Sequence, residues 1–96
     1  MLVTELIPQY INQKSFYKKA FTVVVGDMVI LKSYDAMPCH ISKGVIKLNG
    51  LYSQTTTRHI REFLRQNEDL FKSNPQYAAL ISSNYNTKEL RNIITK

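Results

Sequence analysis

The chain has 96 residues, of which 44% are hydrophobic and 21% are charged, and its formal net charge is +6. This length and composition exclude a disordered chain and predict one globular domain over residues 1–96. The apolar runs are too short to cross a bilayer, and the N-terminus lacks the basic and apolar regions of a signal peptide. Cys39 is the single cysteine, so an internal disulfide is excluded. We therefore expect a cytoplasmic protein that does not contact membranes.

Most of the positive charge lies in the first two thirds of the chain. Residues 1–67 contain nine Lys and Arg and four Asp and Glu, whereas residues 68–96 contain four and three. A basic balance of this kind favours acidic partners, including nucleic acid.

The first elements in chain order are an arm and a hairpin. Residues 1–13 have no clear periodicity and contain Pro8, so they predict an arm or a short strand. Residues 14–54 are expected to form a β-meander. Within them, the β-branched run Phe21–Val25 and the run Met28–Tyr34 flank Gly26-Asp27, which predicts a hairpin.

The middle of the chain predicts further short strands. Residues 35–38 are expected to be a connection or a bulged continuation of a strand, because Pro38 cannot donate to a β-ladder. Residues 39–41 and 45–48 are short strand candidates that flank a turn at residues 42–44. Asn49-Gly50 predicts another turn.

From residue 55 onward the periodicity becomes helical. Ile60, Phe63 and Leu64 share one helix face, and Ser53 or Thr55 is suited to be the N-cap. The hydroxyl run at residues 55–57 either caps this helix and packs on the sheet or holds an anion at the helix N-terminus, and the first reading is favoured.

Two further helices are predicted after the first, which ends at residues 67–69 or extends to residue 71. Asn74 is a candidate N-cap with Pro75 at the first helical position, and residues 82–85 form a loop. Asn86 and Glu89 fit a capping box that opens the closing helix. The sequence thus predicts an α+β fold, in which a small antiparallel β-meander of three to five strands is followed by two or three α-helices, over residues 55–96, packed on one face.

Residues that carry metal or catalytic chemistry are few. Cys39, His40 and His59 are too few for a structural zinc site, and neighbouring strand residues point to opposite faces. The sequence has no glycine-rich phosphate loop and no nucleophile elbow. We therefore expect no metal, no cofactor and no catalytic residue, and a protein that is not an enzyme.

A row of arginines is the main candidate for function. Arg58, Arg61 and Arg65 recur at the spacing of one helix face, opposite the apolar residues, and Glu62 is expected to pair with Arg58. The candidate nucleic-acid or partner-binding residues are Arg58, Arg61, Arg65, Lys18, Lys19, Tyr17, Tyr34 and Tyr52. The tyrosines offer stacking surfaces for unpaired bases. The alternative is that the arginines only keep an exposed helix face solvated and that the tyrosines pack on the sheet.

Three segments, Lys14–Ala20, Leu31–Asp35 and Tyr52–Leu64, together resemble a family of short, functionally uncharacterised proteins found largely in bacteriophages and related mobile elements. In that family the second segment continues with Thr and then a Val-Ala pair, which Ala36 and Pro38-Cys39 replace here. The resemblance covers roughly residues 14–66. It implies a phage-type protein in a bacterial cytoplasm and carries no catalytic residues.

These observations favour a non-enzymatic phage-type binding module in one of two versions. In the first, the partner is nucleic acid or a nucleoprotein held by the basic helix face. In the second, the protein is an inhibitor or modulator that binds a host defence or replication protein through its β-surface or C-terminal helices. A homodimer is a further possibility, formed by strand pairing at an edge beside Phe21–Val25.

Overall fold

The first half of the chain forms an antiparallel sheet. In the computed structural model, which describes residues 1–82 and 85–95, the five strands are β1 (Leu2–Glu5), β2 (Ala20–Val25), β3 (Met28–Ser33), β4 (Ala36–Ser42) and β5 (Val45–Leu48). Their order in the sheet is the order in the chain. The predicted meander is therefore confirmed, and the N-terminal arm contributes its first strand.

Tight turns with positive φ angles join the strands from β2 to β5. Gly26 has a φ of +60°, which a type II′ turn requires at its first central residue, so the predicted hairpin is confirmed. Lys43 and Gly44 have φ angles of 52° and 75°, as in a type I′ turn. Tyr34 has a φ of 54° between β3 and β4, a position where glycine is usual. The prediction that Tyr34 belongs to the preceding strand was wrong.

Strand β4 is longer than the sequence indicated. It begins at Ala36, and the register passes from the Leu31–Cys39 pair to the Ser33–Ala36 pair. Two residues of β4 therefore oppose one residue of β3, which is the arrangement of a β-bulge. The bulge accommodates Pro38 inside the sheet, and it confirms the bulged continuation among the two predicted alternatives.

The second half of the chain is helical. The helices are α1 (Gln54–Gln66), α2 (Tyr77–Leu80) and α3 (Thr87–Ile94), and a 3-10 turn (Glu68–Phe71) follows α1. Asn86 and Glu89 form the predicted capping box. Helix α2 begins at Tyr77 and not at Pro75, and in the turn before it the Asn74 side chain accepts a hydrogen bond from the Gln76 N–H. Of the predicted loop 82–85, residues 83 and 84 lie outside the described part of the chain, as does residue 96.

The helices cover one face of the sheet. Buried side chains of β3, β4 and β5 pack against buried side chains of α1 and α3. The main members of this core are Leu31, Cys39, Ile41, Ile46, Ile60, Phe63, Leu64 and Leu90. Each such side chain contributes about 1.5–3 kcal/mol on burial, which explains why the apolar stripe of α1 faces the sheet. The α+β fold class is confirmed.

The opposite sheet face carries an apolar row near β1. Val3, Val23 and Ile30 are directly paired across β1, β2 and β3, so they point to the same side. Strand β2 lies inside the sheet, and β1 is the edge strand beside Phe21–Val25, so the pairing of two copies at this edge stays a prediction. The strands at the two edges are β1 and β5. Every helix in the described residues is too short or too polar to span a membrane.

Candidate functional site

Helix α1 presents the arginine row, Arg58, Arg61 and Arg65, on the side away from the sheet. Successive residues turn by about 100°, so the three side chains fall within an arc of about 60°. Ser53 is the N-cap, and its hydroxyl accepts a hydrogen bond from the Thr56 N–H at 3.3 Å. The predicted amphipathic division of this helix is therefore confirmed.

Two neighbouring arginines of the row line a cleft beside α1, which we call the Arg58 cleft. Its volume is about 430 Å³, and its lining residues are Tyr52, Gln54, Thr57, Arg58, Arg61, Tyr85 and Asn86. The Tyr52 N–H donates to the Thr87 hydroxyl at 3.0 Å, which ties the segment before α1 to the start of α3. This hydrogen bond fixes the two walls of the cleft relative to each other.

Arg61 lies at the centre of the arginine row and is half-buried. Its Nη1 donates to the Tyr85 carbonyl oxygen at 3.3 Å, whereas its buried Nε has no hydrogen-bond partner among the described residues. A guanidinium offers five N–H donors. Arg58 is exposed and has no hydrogen bond or ion pair to a residue in the described ranges, so both arginines keep donors for a ligand.

The third arginine belongs to a smaller cleft, the Arg65 cleft, of about 230 Å³. It is lined by Tyr10, Ile11, Arg61, Glu62, Arg65, Ile81 and Ser82. The guanidinium of Arg65 lies 4.9 Å from the centre of the Tyr10 ring, and its Nε is 3.1 Å from the Glu68 carboxylate. Arg65 is therefore already engaged by an aromatic ring and an acidic group.

Glu62 has a different role from the one predicted. It does not pair with Arg58, because its side chain is fully buried and both of its oxygens accept hydrogen bonds from other groups. Its Oε1 accepts hydrogen bonds from the Tyr10 and Ile11 N–H groups, each at 3.0 Å, and its Oε2 accepts one from Gln66. The carboxylate thus fixes the N-terminal arm onto α1 and forms part of the wall of the Arg65 cleft.

The remaining candidates form a separate surface, the tyrosine–lysine patch, made of Tyr17, Lys18, Lys19 and Tyr34. All four side chains are exposed, and none lines either cleft. The Tyr34 N–H donates to the Lys19 carbonyl oxygen at 2.8 Å, which joins the two parts of the patch. Tyr17, Lys18 and Tyr34 have φ angles of 53°, 60° and 54°, an uncommon conformation for residues other than glycine.

A buried polar cluster lies beneath this patch. Ser33 Oγ is 2.7 Å from His59 Nδ1 and 3.2 Å from the Thr56 hydroxyl, and the Phe16 ring contacts the imidazole at a centre distance of 4.5 Å. Burial lowers the pKa of His59 below its ordinary value. Although a serine beside a histidine is the arrangement of a nucleophile and its base, Ser33 and His59 are only 1% and 2% exposed. The cluster therefore joins α1 to β3.

The hydroxyl run at the start of α1 follows the favoured interpretation in part, because Thr56 and Thr57 are buried, whereas Thr55 is exposed and the N-cap is Ser53. The Thr57 hydroxyl donates to the Ser53 carbonyl oxygen at 2.7 Å, and Thr56 belongs to the buried cluster. Cys39 is fully buried, and burial raises the pKa of its thiol to about 12. Within residues 1–82 and 85–95, no three His, Cys, Asp or Glu side chains are grouped in a way that could hold a metal.

Sequence reasoning missed several residues that line the clefts. Tyr85 and Asn86 lie about 25 residues after the arginine row, and Tyr10 lies about 50 residues before it. Periodicity reports only neighbours within one element, so it carries no signal for these long-range contacts. The capping role of Asn86 was visible in the sequence, but its position on a cleft wall was not.

Comparison with known proteins gives one match. Neither a search of curated proteins nor a search of solved structures found a significant match. A protein-family model matches residues 4–79, a range that includes the whole sheet from Thr4 onward, the arginine row and α2 up to Ala79. The chain therefore belongs to the family described as a family of unknown function, DUF8033.

Proposed function

We propose that the protein is a non-enzymatic nucleic-acid-binding module of phage type that works in a bacterial cytoplasm. The observation that carries the proposal is the Arg58 cleft, in which two arginines with available donors share a concave surface with Tyr52. Arginine suits phosphate because its planar guanidinium donates paired hydrogen bonds. The phage-type origin is supported by the resemblance of three segments of the sequence.

The charge around the cleft supports an anionic ligand. Its described lining contains two arginines and no carboxylate. Glu62, the acidic residue between Arg58 and Arg65 on α1, lines the Arg65 cleft and not the Arg58 cleft, and its Oε1 already accepts hydrogen bonds from backbone N–H groups. A concave surface with unopposed positive charge concentrates phosphates from solution.

Salt-dependent binding tests this function. Fluorescence anisotropy with labelled DNA and RNA oligonucleotides is measured between about 50 and 200 mM salt. We expect the affinity to fall as salt rises, because bound arginines release the counterions of the phosphates. The double variant Arg58→Glu/Arg61→Glu should weaken binding about 10-fold or more at the lowest salt.

The matched control is the double variant Lys43→Glu/Lys47→Glu. It makes the same change in net charge at two exposed sites, in and beside β5, that lie outside both clefts. It should retain nearly the affinity of the wild type. The thermal unfolding of each variant confirms that it is folded. Absence of binding to every DNA and RNA probe at the lowest salt refutes the proposed function.

A second candidate function is supported by the open face of the sheet. The cross-strand row Val3, Val23 and Ile30 lies on the face opposite the helices; Val23 is buried, but the edge strand β1 exposes Val3 and Leu2. Exposed apolar surface at a sheet edge is typical of protein-binding sites. In this version the protein modulates a host defence or replication protein.

An affinity pull-down from nuclease-treated bacterial lysate tests the second candidate. A host protein retained by the wild type and lost with Val3→Lys supports binding through this face, whereas retention that requires Arg58 supports the cleft. Light scattering on the purified protein at the same time shows whether two copies pair at the β1 edge.

A further inference from the structure

We infer that the ligand of the arginine row is a single strand of nucleic acid rather than a duplex, an inference that rests on the proposed function. The first reason is the shape of the site. A helix that reads duplex DNA inserts into the major groove, which is about 12 Å wide and close to the diameter of a helix with its side chains. Such a helix must project from the protein surface.

Helix α1 does not project in this way. Tyr52, Tyr85 and Asn86 rise beside Arg58 and Arg61, and Tyr10 and Ile11 of the arm rise beside Arg65. The arginines therefore lie in clefts between other segments of the chain. A single strand fits a cleft of this kind, whereas insertion of α1 into a duplex groove would bring the flanking segments against the duplex.

A second consideration is the length of strand that the arginines span. Helix α1 rises about 1.5 Å per residue, so Arg58 and Arg65 are separated by roughly 10 Å along the helix axis. Stacked nucleotides advance by about 3.4 Å each along one strand, so this distance corresponds to about three nucleotides. The two clefts adjoin at Arg61, which lines both of them. The row therefore matches a short track of successive phosphates.

The third reason is the placement of aromatic rings at the two ends of this track. Tyr52 lines the Arg58 cleft, and Tyr10 lines the Arg65 cleft. A Cβ on Gly50 would lie 3.3 Å from the Tyr52 hydroxyl oxygen, so the glycine leaves room for this ring beside the cleft. Alternation of cationic side chains and aromatic rings is the common solution for single-stranded nucleic acid, whose unpaired bases stack on the rings.

The contacts that these residues already make indicate which of them contribute most to binding. Arg65 is already contacted by Tyr10 and Glu68, so we expect Arg58 and Arg61 to contribute more to binding. The Tyr10 ring is exposed but one of its faces is covered by Arg65, and the Tyr52 ring is half-buried against the core, so each ring offers one side to a base. The Arg58 cleft is therefore the principal binding subsite.

The test compares one labelled homopyrimidine strand of about 12 nucleotides, as DNA and as RNA, with the same sequence annealed to its complement. We expect the single strand to bind about 10-fold or more tightly than the duplex. Tyr52→Leu, which retains apolar volume but removes the aromatic ring, should weaken single-strand binding about 10-fold and leave the salt dependence unchanged.

The matched control is Tyr77→Leu, at a tyrosine that is half-buried like Tyr52 and lies outside both clefts. It should bind like the wild type. Equal or tighter binding of the duplex, or an unchanged affinity of the folded Tyr52→Leu variant, overturns the single-strand inference while leaving nucleic-acid binding in place. If no probe binds at all, the proposed function fails and the inference fails with it.

Discussion

Removal of the Glu62 carboxylate should destabilise the protein far more than removal of any exposed acidic group. In Glu62→Ala, the Tyr10 and Ile11 N–H groups lose the acceptor that they share at 3.0 Å. An unsatisfied buried donor costs about 1–3 kcal/mol, and water partly reaches these two, so we expect a loss of about 2–4 kcal/mol. A chain of this length has a total free energy of unfolding on the order of 5–14 kcal/mol.

Urea denaturation followed by circular dichroism measures this loss, and limited trypsin digestion at Lys14 reports release of the arm. Glu62→Gln retains an oxygen for the two N–H groups, so its cost should be smaller, about 1–2 kcal/mol. The control Glu68→Ala removes a partly exposed ion pair with Arg65 and should cost less than about 1 kcal/mol. The reasoning is refuted if Glu62→Ala remains within about 0.5 kcal/mol of the wild type and its arm resists trypsin equally well.

Three further predictions concern His59, Cys39 and Lys43. Burial lowers the pKa of His59, so in acid the unfolded chain binds a proton that the folded chain does not. The urea concentration at the unfolding midpoint should therefore fall as the pH is lowered from about 7 to about 5, and a midpoint that stays constant or rises contradicts this. Because burial raises the pKa of the Cys39 thiol to about 12, alkylation at neutral pH should proceed only as fast as the protein unfolds, and rapid labelling of the folded protein contradicts this. Lys43→Asn creates the Asn-Gly pair preferred at a type I′ turn, so the free energy of unfolding measured by urea denaturation should rise by about 0.5–1 kcal/mol. A decrease in this free energy would mean that the lysine side chain stabilises the turn.

The separation of α1 into an apolar face and an arginine face was predictable from the sequence, because it depends only on the spacing of residues within one helix. Ile60, Phe63 and Leu64 recur at helical spacing, and their burial follows from that spacing alone. The hairpin at Gly26 and the capping box at Asn86 were predictable for the same reason, since each uses residues only a few positions apart.

The roles of Glu62 and His59 depend on contacts that no local pattern reports. Glu62 sits at a spacing from Arg58 that suits an ion pair, yet its bonds go to an arm about 50 residues away. His59 contacts Phe16 and Ser33, which lie in other segments of the chain, Ser33 being 26 residues away. Long-range placement of this kind is fixed by tertiary packing, which overrides the i, i+4 preference.

The candidate binding residues, which form two separate groups in the structure, also show that local patterns do not report long-range placement. Charge and residue type placed the tyrosine–lysine patch and the arginine row in one predicted surface. The structure places Tyr52 with Arg58 and Arg61 in the Arg58 cleft, and the tyrosine–lysine patch lies outside it, beside His59. The three segments that carry the family resemblance contribute Phe16, Ser33 and His59 to the buried cluster, so part of that pattern is explained by folding.

The salt dependence of single-strand binding, compared between the wild type and Arg58→Gln, shows whether the Arg58 cleft contacts phosphate groups. For two to three phosphate contacts, the logarithm of the affinity should fall against the logarithm of the salt concentration with a slope of about −1.4 to −2.1. Arg58→Gln, which removes one charge at an exposed site, should reduce that slope by about 0.7 while the protein stays folded. A slope and an affinity that remain unchanged in this variant would contradict the assignment of the Arg58 cleft as the binding site.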